Sequence, residues 1–433
     1  MTHAGKIYGM ENIKDKNNIQ VLFFGFLFIV SICCGIARAG QDGSRISMSG
    51  FGTLGFVGAD SDALGFRRNV IQDRGVFSGD LGVTTDSLLG LQLNGRATTS
   101  IDGVLQVVLR DQPDFDFDSL LQLAFLGVQP AGSDVRIRLG RIKTDIYMLS
   151  DYRDIGFAYI WARPVTEFYA MLPFQNYDGM DLAWGPSLFG GVLHVSLFGG
   201  WTGFDAGNGK LSIDNSPIYG LSLLFEKGDW QFKAGLARLE YNDVESSGIM
   251  TQFPETLSSC QLPPQLLASM KNRFSPEGVS SVYSSIGFAY DDGDWLFSGE
   301  GAMLDSTGSF PSSVQGYLSL GRRIGEITPY VTWSIIEMIH EESVTGTDAP
   351  GGSANFPDPI SSFFNDLVSM NQYTVSLGMR WDFTARSCLK LQWNHSRVRD
   401  SGMSLWLMAD PAAGFPQGNQ DVNVVSINLD FTF

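Results

Sequence analysis

Charge is scarce in this sequence: only 17% of its 433 residues are charged, with 29 basic residues against 46 acidic ones. The resulting formal net charge of −17 argues against nucleic acid as a partner, because binding to phosphates requires a basic surface. Cysteine is also scarce. Of the 4 cysteines, Cys33 and Cys34 lie near the N-terminus, and the remaining Cys260 and Cys388 are too few for a disulfide framework.

No long apolar run occurs after residue 40, so no later segment reaches the roughly 20 residues that a membrane-spanning helix requires. The one long apolar run, residues 21–36, follows Lys6, Lys14 and Lys16 and precedes Ala37-Arg-Ala39. A basic start, an apolar stretch and small residues in this order are typical of a cleaved export signal. We expect residues 1–39 to be removed and residues 40–433 to form a single domain.

Glycine and aromatic residues are abundant, with 50 Gly, 31 Phe, 13 Tyr and 9 Trp. Near the C-terminus, polar residues alternate with one apolar series: Tyr373, Val375, Leu377, Met379, Trp381 and Phe383. Successive side chains of a strand point to opposite faces, so this segment has one apolar face and one hydrated face. Alternation of this kind predicts sixteen strands, near 46–57, 87–96, 104–110, 120–128, 135–141, 177–184, 192–201, 218–226, 230–241, 280–290, 295–304, 313–322, 327–338, 371–383, 388–396 and 422–433.

The connections between these segments alternate in length. Short ones such as 227–229 and 291–294 alternate with long ones such as 142–176 and 242–279. The pattern predicts an all-β fold: a transmembrane, antiparallel, up-and-down β-barrel of about 16 strands, with short periplasmic turns and long outer loops. Only closure satisfies every backbone group in hydrocarbon, so the predicted location is the cell outer membrane of a Gram-negative-type bacterium. A soluble β-sandwich or β-helix also uses alternating strands and is the competing fold.

Aromatic residues stand at the ends of several predicted strands. A barrel would place them at the two membrane interfaces as girdles. The residues concerned are Trp184, Trp201, Trp230, Trp295, Trp381 and Phe433.

Three stretches carry a resemblance to the Gram-negative outer-membrane porins. Met48-Ser-Gly-Phe-Gly-Thr-Leu-Gly55 resembles the first strand of many proteobacterial porins, and Leu139-Gly-Arg-Ile-Lys-Thr144 resembles the end of their fifth strand. The terminal Phe433 is similar to the signal that the barrel-assembly machinery reads. The resemblance implies a sixteen-stranded barrel, commonly a homotrimer, that contacts outer-membrane lipid and lipopolysaccharide and passes small hydrophilic solutes and ions.

The third long loop, 142–176, is the candidate pore-constricting loop, although it lacks the Pro-Glu-Phe-Gly-Gly-Asp stretch of the enterobacterial general porins. A lumen of about sixteen strands is too wide to be filled by strand side chains, so charges at its narrowest point should set selectivity. Basic strand residues would face acidic loop residues across a transverse field, or the loop charges would pair locally. The candidate lining residues are Arg96, Arg136, Arg138, Asp145, Asp151, Asp154, Glu167, Arg380 and Lys390.

Other chemistries have less support. Gly50-Phe-Gly-Thr-Leu-Gly55 matches a dinucleotide-binding spacing but lies in a predicted strand with no helix after it, so no cofactor is predicted. Asp114, Asp116 and Asp118 would share one face of an extended loop, where they either bind calcium or are simply solvated. His395 and Ser396 are adjacent, so a strand sends them to opposite faces and no catalytic pair is predicted.

We therefore expect a non-enzymatic, water-filled channel for passive diffusion, with a weak preference for cations. Two alternatives stay open at this point. One is a substrate-specific outer-membrane channel, and the other is a non-conducting barrel with an adhesive or structural role.

Overall fold

A computed structural model describes residues 45–112, 117–172, 174–206, 211–246, 278–307, 312–339, 370–399, 405–409, 416 and 418–433. Within these residues, no helix is both long and apolar enough to cross a membrane. The predicted signal 1–39 lies outside the described residues, as do Asp114, Asp116 and Cys260.

Sixteen long strands form one closed antiparallel sheet. In chain order they are β1 (Ile46–Ala59), β2 (Leu88–Arg96), β3 (Ile101–Arg110), β4 (Leu121–Val128), β5 (Val135–Lys143), β6 (Asn176–Trp184), β7 (Gly191–Ala206), β8 (Leu211–Lys227), β9 (Trp230–Glu240), β10 (Ser280–Asp291), β11 (Trp295–Ser306), β12 (Ser313–Arg322), β13 (Ile327–Met338), β14 (Gln372–Thr384), β15 (Ser387–Val398) and β16 (Gln420–Thr432). Each strand pairs with its neighbours in sequence, and β16 pairs with β1. The predicted barrel and its strand number are confirmed.

A few short strands accompany the sixteen long ones. Leu64–Gly65 pairs with Leu407–Met408, Ser187–Leu188 pairs with the start of β7, and Asp243–Ser246 pairs with the start of β8. In the described part of the chain, the helical segments are single turns at Phe117–Leu120, Gly156–Ala158 and Thr166–Tyr169.

The two faces of the strands differ as the alternation predicts. Large apolar side chains on the outer face are exposed, for example Leu139 at 64% and Ile286 at 70%. Inward positions on the same sheet are polar and buried, as at Ser319 and Thr332. Apolar groups exposed in this number are stable only in contact with lipid, because in water they would drive aggregation.

Tryptophans mark the end of the barrel that carries the short turns. Trp184, Trp230, Trp295 and Trp381 all lie at strand ends there, and each remains about two-fifths exposed on the outer face. Trp201 lies instead towards the end that carries the long loops. An aromatic side chain with a polar edge suits the boundary between hydrocarbon and water.

The barrel closes between its first and last strands. The backbone amides of Gly50 and Phe433 each donate to the other's carbonyl oxygen over 2.9 Å. The Phe431 and Phe433 rings lie against Gly52 and Gly50 and stack with their centroids 6.2 Å apart. The glycines of β1 therefore leave room for the aromatic C-terminus, and the closure removes the sheet edge.

Three glycines face one another across β5, β6 and β7, where the backbones approach closely. Gly140 pairs with Gly179, and Gly179 pairs with Gly200. A Cβ atom on Gly179 would lie 2.2 Å from the carbonyl oxygen of Gly199, and one on Gly200 would lie 2.4 Å from that of Asp178. Only glycine fits, because the obstacle is backbone rather than a movable side chain.

We predict that Gly179→Ala destabilises the barrel by about 1–3 kcal/mol, because the added methyl group forces two strands apart. Urea unfolding of the refolded protein, followed by tryptophan fluorescence, measures the loss. Gly301→Ala is the matched control, because a Cβ at Gly301 in β11 meets nothing within 4 Å. Equal midpoints for the two variants would contradict the close approach.

Candidate functional site

The loop between β5 and β6, residues 144–175, folds into the barrel, and we call it the inward loop. Its side chains form a buried cluster that includes Tyr147, Trp161 and Phe168, and this cluster packs against the wall tyrosines Tyr283 and Tyr317. The lumen therefore contains an apolar core of its own, which alternating strand patterns do not predict.

Each strand from β9 to β16 holds the inward loop with at least one polar side chain. These consecutive strands form half of the barrel wall and supply most of the polar contacts to the loop. In strand order the contacts are Lys233 to Asp145, Ser285 to the Ile146 carbonyl, Glu300 to the Met148 amide, Ser319 to Trp161, Ser334 and Thr374 to Glu167, Lys390 to the Gly156 carbonyl, and Asn428 to the Ala162 carbonyl. On the other half, Phe125, Tyr177 and Phe198 belong to the same buried apolar cluster as the loop.

Two buried carboxylates anchor the loop without a cation within ion-pair distance among the described residues. Glu167 accepts hydrogen bonds from Ser334 and Gln372, each at 2.7 Å, and from Thr374. Glu300 accepts from the Met148 amide and the Tyr317 hydroxyl, each at 2.8 Å, and from the Tyr169 hydroxyl. A buried carboxylate is costly unless several donors surround it, so these donors fix where the loop sits.

Two buried ion pairs also hold the loop in place. Arg163 forms a two-pronged pair with Asp86, with nitrogen–oxygen distances of 2.9 and 2.6 Å, and both side chains are only 1% exposed. Lys390 lies 2.9 Å from Asp430, and both are fully buried. Lys390 also donates to the carbonyl oxygens of Gly156 and Trp161.

Asp154 joins the inward loop to β3 and β5. It lies 2.9 Å from Arg110 and 3.1 Å from Lys143. Burial alone would raise the pKa of the Asp154 carboxyl, but Lys143 and Arg110 hold it well below its usual value. Asp154 is thus ionised and paired rather than free to act on a passing ion.

The predicted basic residues of β5 point inward, but each has an acidic partner: Asp102 on β3, two strands away, for Arg136, and Asp181 on the adjacent β6 for Arg138. Arg136 lies 2.6 Å from Asp102, and Arg138 pairs with the buried Asp181. The two arginine side chains keep 36% and 23% exposure. Arg96 is exposed at the end of β2 that carries a short turn, away from the inward loop.

Other predicted residues divide between buried anchors and accessible groups. Arg380 pairs with Asp382 and donates to the carbonyl oxygens of Phe157 and Tyr159, so it supports the loop. Asp145 pairs with Lys233 at the edge of the loop. Asp151 is exposed and forms no ion pair among the described residues, although Lys233 and Arg138 are close enough to act on its charge.

Seven of the nine residues predicted to line the pore lie on or beside the inward loop: Arg138, Asp145, Asp151, Asp154, Glu167, Arg380 and Lys390. The other two, Arg96 and Arg136, lie on strands near the short turns. That these residues line a pore stays a prediction. Asp86, Lys233 and Glu300 were not predicted. Glu300 carried a usable signal, because it is the one charged residue at an inward position of β11. Asp86 carried none, because it precedes a strand and pairs with a residue 77 positions away.

The described residues that the sequence analysis considered for metal binding or catalysis have other contacts in the structure. Asp118 pairs with Arg141 at 2.8 Å, and the described residues contain no group of three or more potential metal ligands. His395 stacks on Trp393 at the outer face, whereas Ser396 is buried and bonds to Thr374. The prediction that His395 and Ser396 point to opposite faces is confirmed. Cys388 is a buried free thiol.

The barrel resembles solved outer-membrane channels in fold. An anion-selective porin from Comamonas acidovorans has a TM-score of 0.52 and 12% identity over 90% of this chain and 99% of that one. The outer membrane channel DcaP of Acinetobacter baumannii has a TM-score of 0.48 and 9% identity, and a Salmonella typhi OmpF has 0.48 and 13%; each comparison covers 91% of this chain and 99% of the other. A scan of protein-family models and a search of curated proteins find no match.

The closed sheet and its outward apolar band define the protein as a β-barrel of the membrane-spanning type. More particularly, it has the sixteen-stranded porin fold that the sequence resemblance predicted.

We predict that Arg163→Met costs about 3–5 kcal/mol of stability, because it leaves the Asp86 carboxylate buried and unpaired. The double variant Arg163→Met/Asp86→Leu should recover most of the loss. Thermal unfolding in detergent measures both. The matched control is Arg397→Met, which breaks the exposed pair with Asp421 at 3.5 Å and should cost at most about 1 kcal/mol. A double variant no better than the single one would refute the pairing.

Proposed function

We propose that this protein is an outer-membrane channel through which small hydrophilic solutes and ions diffuse passively. The observation that carries the proposal is the uneven anchoring of the inward loop. Most of its polar anchors lie on β9 to β16, while charged groups beside β4 to β8 stay partly accessible. Those groups include Asp151 on the loop and Arg136 and Arg138 on the wall.

The water-filled passage runs between the edge of the inward loop and the wall of β4 to β8. Below the loop, towards the short turns, the inward side chains His194 and Glu226 are 51% and 39% exposed, as expected of a hydrated vestibule. A polar, partly charged lining admits hydrophilic solutes and disfavours apolar ones, because an apolar solute forms no hydrogen bonds or ion pairs with it.

The charges around the loop are mostly paired, so the net charge of −17 overstates the field that a passing ion meets. Asp145, Asp154 and Asp181 each have a cation within 4 Å. Asp151 on the loop is exposed and has no cation within 4 Å among the described residues. It supports a weak preference for cations, and it is the group on which we place that preference.

A non-conducting barrel is the second candidate, and the apolar core of the inward loop favours it. Tyr147, Phe168 and Tyr169 are at most 1% exposed, which is typical of a packed interior rather than of a water-filled pore. A loop packed this firmly either narrows the lumen or plugs it.

We also propose that the barrel forms a homotrimer. On β5 the outward apolar stretch is short: Val135, Ile137 and Leu139 lie between the acid Asp134 and Arg141. Five strand residues span much less than the lipid band of about 25 Å, so contact with another copy suits this face better than contact with lipid. Light scattering of the protein in detergent should give three chains per particle. Lipopolysaccharide and the barrel-assembly machinery remain the expected partners in the cell.

The channel is tested by recording refolded protein in planar lipid bilayers. Addition of protein should produce stepwise, ohmic increases in conductance. Block by one class of solute would favour the substrate-specific channel instead. Folded, inserted protein without conductance would favour the plugged barrel and overturn the proposal.

We predict that Asp151→Asn shifts the reversal potential in a salt gradient towards anion preference, because it removes the accessible unpaired acid. The same recording on Asp421→Asn serves as control, since Asp421 lies at the outer end of β16 and pairs with Arg397. If the two variants shifted the potential equally, Asp151 would not be the group that sets selectivity.

A further inference from the structure

The rim of the barrel has a step at the end that carries the long loops. The ladder between β6 and β7 ends where Asp178 faces Trp201, whereas β7 continues to Ala206. The wall is therefore low at β5 and β6 and high at β7 and β8. A cavity of about 360 Å³ fills the step, and we call it the rim cavity.

Two buried amides and a partly buried arginine form part of the wall of the rim cavity. Gln122 and Gln175 are 3% and 6% exposed, and both accept hydrogen bonds from Arg110, at 3.3 and 3.1 Å. Arg110 in turn pairs with Asp154 of the inward loop. Polar side chains this deeply buried and mutually bonded keep fixed positions, which a binding site requires.

The charges of the rim cavity argue against an anion as its ligand. Arg110 is occupied by Asp154, and Arg141 is held between Asp178 and Asp118, at 2.6 and 2.8 Å. Neither of the two guanidinium groups among the described lining residues is therefore free for a phosphate or a carboxylate.

The hydrogen-bonding groups favour hydroxyl groups over a simple cation. Amides such as Gln112, Gln175 and Asn176 line the cavity. Each amide both donates and accepts, and a hydroxyl group does the same, whereas an ammonium group only donates. A ligand with many hydroxyl groups matches this lining best.

Three aromatic side chains complete the lining: Phe174, Trp201 and Phe204. Trp201 is 58% exposed, so its ring face is open to a ligand. The C–H face of a sugar ring is apolar and packs on such a ring, while its hydroxyl groups reach polar side chains. Few other hydrophilic molecules present both surfaces.

From these features we propose that the rim cavity is a saccharide-binding site. The saccharide comes from one of two sources, a free sugar in solution or the sugar headgroup of a glycolipid in the outer leaflet, because Trp201 and Asp178 bring the cavity to the lipid-facing side of the rim. The site deepens the proposed function if the sugar is a solute, but binding at the rim does not require conduction.

The test is binding to refolded protein in a detergent without a sugar headgroup, because a sugar detergent would occupy the site. Isothermal titration with maltose represents the free sugar, and vesicles with or without lipopolysaccharide represent the glycolipid. We expect binding to at least one. Trp201→Ala should weaken it by about tenfold, the effect of losing one aromatic contact.

A matched control makes the outcome decisive. Trp333→Ala removes an exposed tryptophan on the outer face of β13 and should leave the affinity unchanged. Failure of both ligands to bind, or equal losses in the Trp201 and Trp333 variants, would overturn the proposal. A barrel that binds maltose without conducting would overturn only the channel.

Discussion

Burial of charge inside the barrel is the constraint on which the rest of the structure depends. A closed sheet of sixteen strands leaves a lumen that strand side chains alone do not fill. The inward loop occupies part of it, and its position is fixed by carboxylates that sit away from water. Glu167 and Glu300 require their surrounding donors, and Asp86 requires Arg163. Moving the loop would separate each of these groups from the partners that hold it in place.

The same constraint separates the two halves of the lumen. Along β9 to β16 the inward side chains are mostly polar and buried, and many of them bond to the loop. Along β4 to β8 they include paired charges that remain partly accessible, such as Arg138 with Asp181. The chain as a whole is acidic, but most acidic side chains near the loop are paired with a neighbouring cation, so this region carries little net charge. Net charge is therefore a poor guide to the field inside such a barrel.

The sequence predicts the barrel well because lipid imposes a regular pattern. Every strand must show an apolar side chain at each second position, so the sixteen segments could be located within a few residues. The ends of β7 and β8 were missed, since residues such as Asp205 and Ser212 lie beyond the lipid and escape that pattern. Asp86, Lys233 and Glu300, which help to anchor the inward loop, were missed for a different reason. Glu300 meets Met148 from 152 positions away, and alternation carries no information about such a contact.

Polymer exclusion measures the width of the passage, and it tests most directly whether the fixed inward loop narrows the lumen. Single-channel conductance is recorded with polyethylene glycols of increasing size, for the natural chain and for a variant in which residues 156–164 are replaced by a short glycine linker. The account predicts that the natural chain excludes polymers that the shortened variant admits. The same exclusion limit in both proteins would contradict it, because the inward loop would then not set the width.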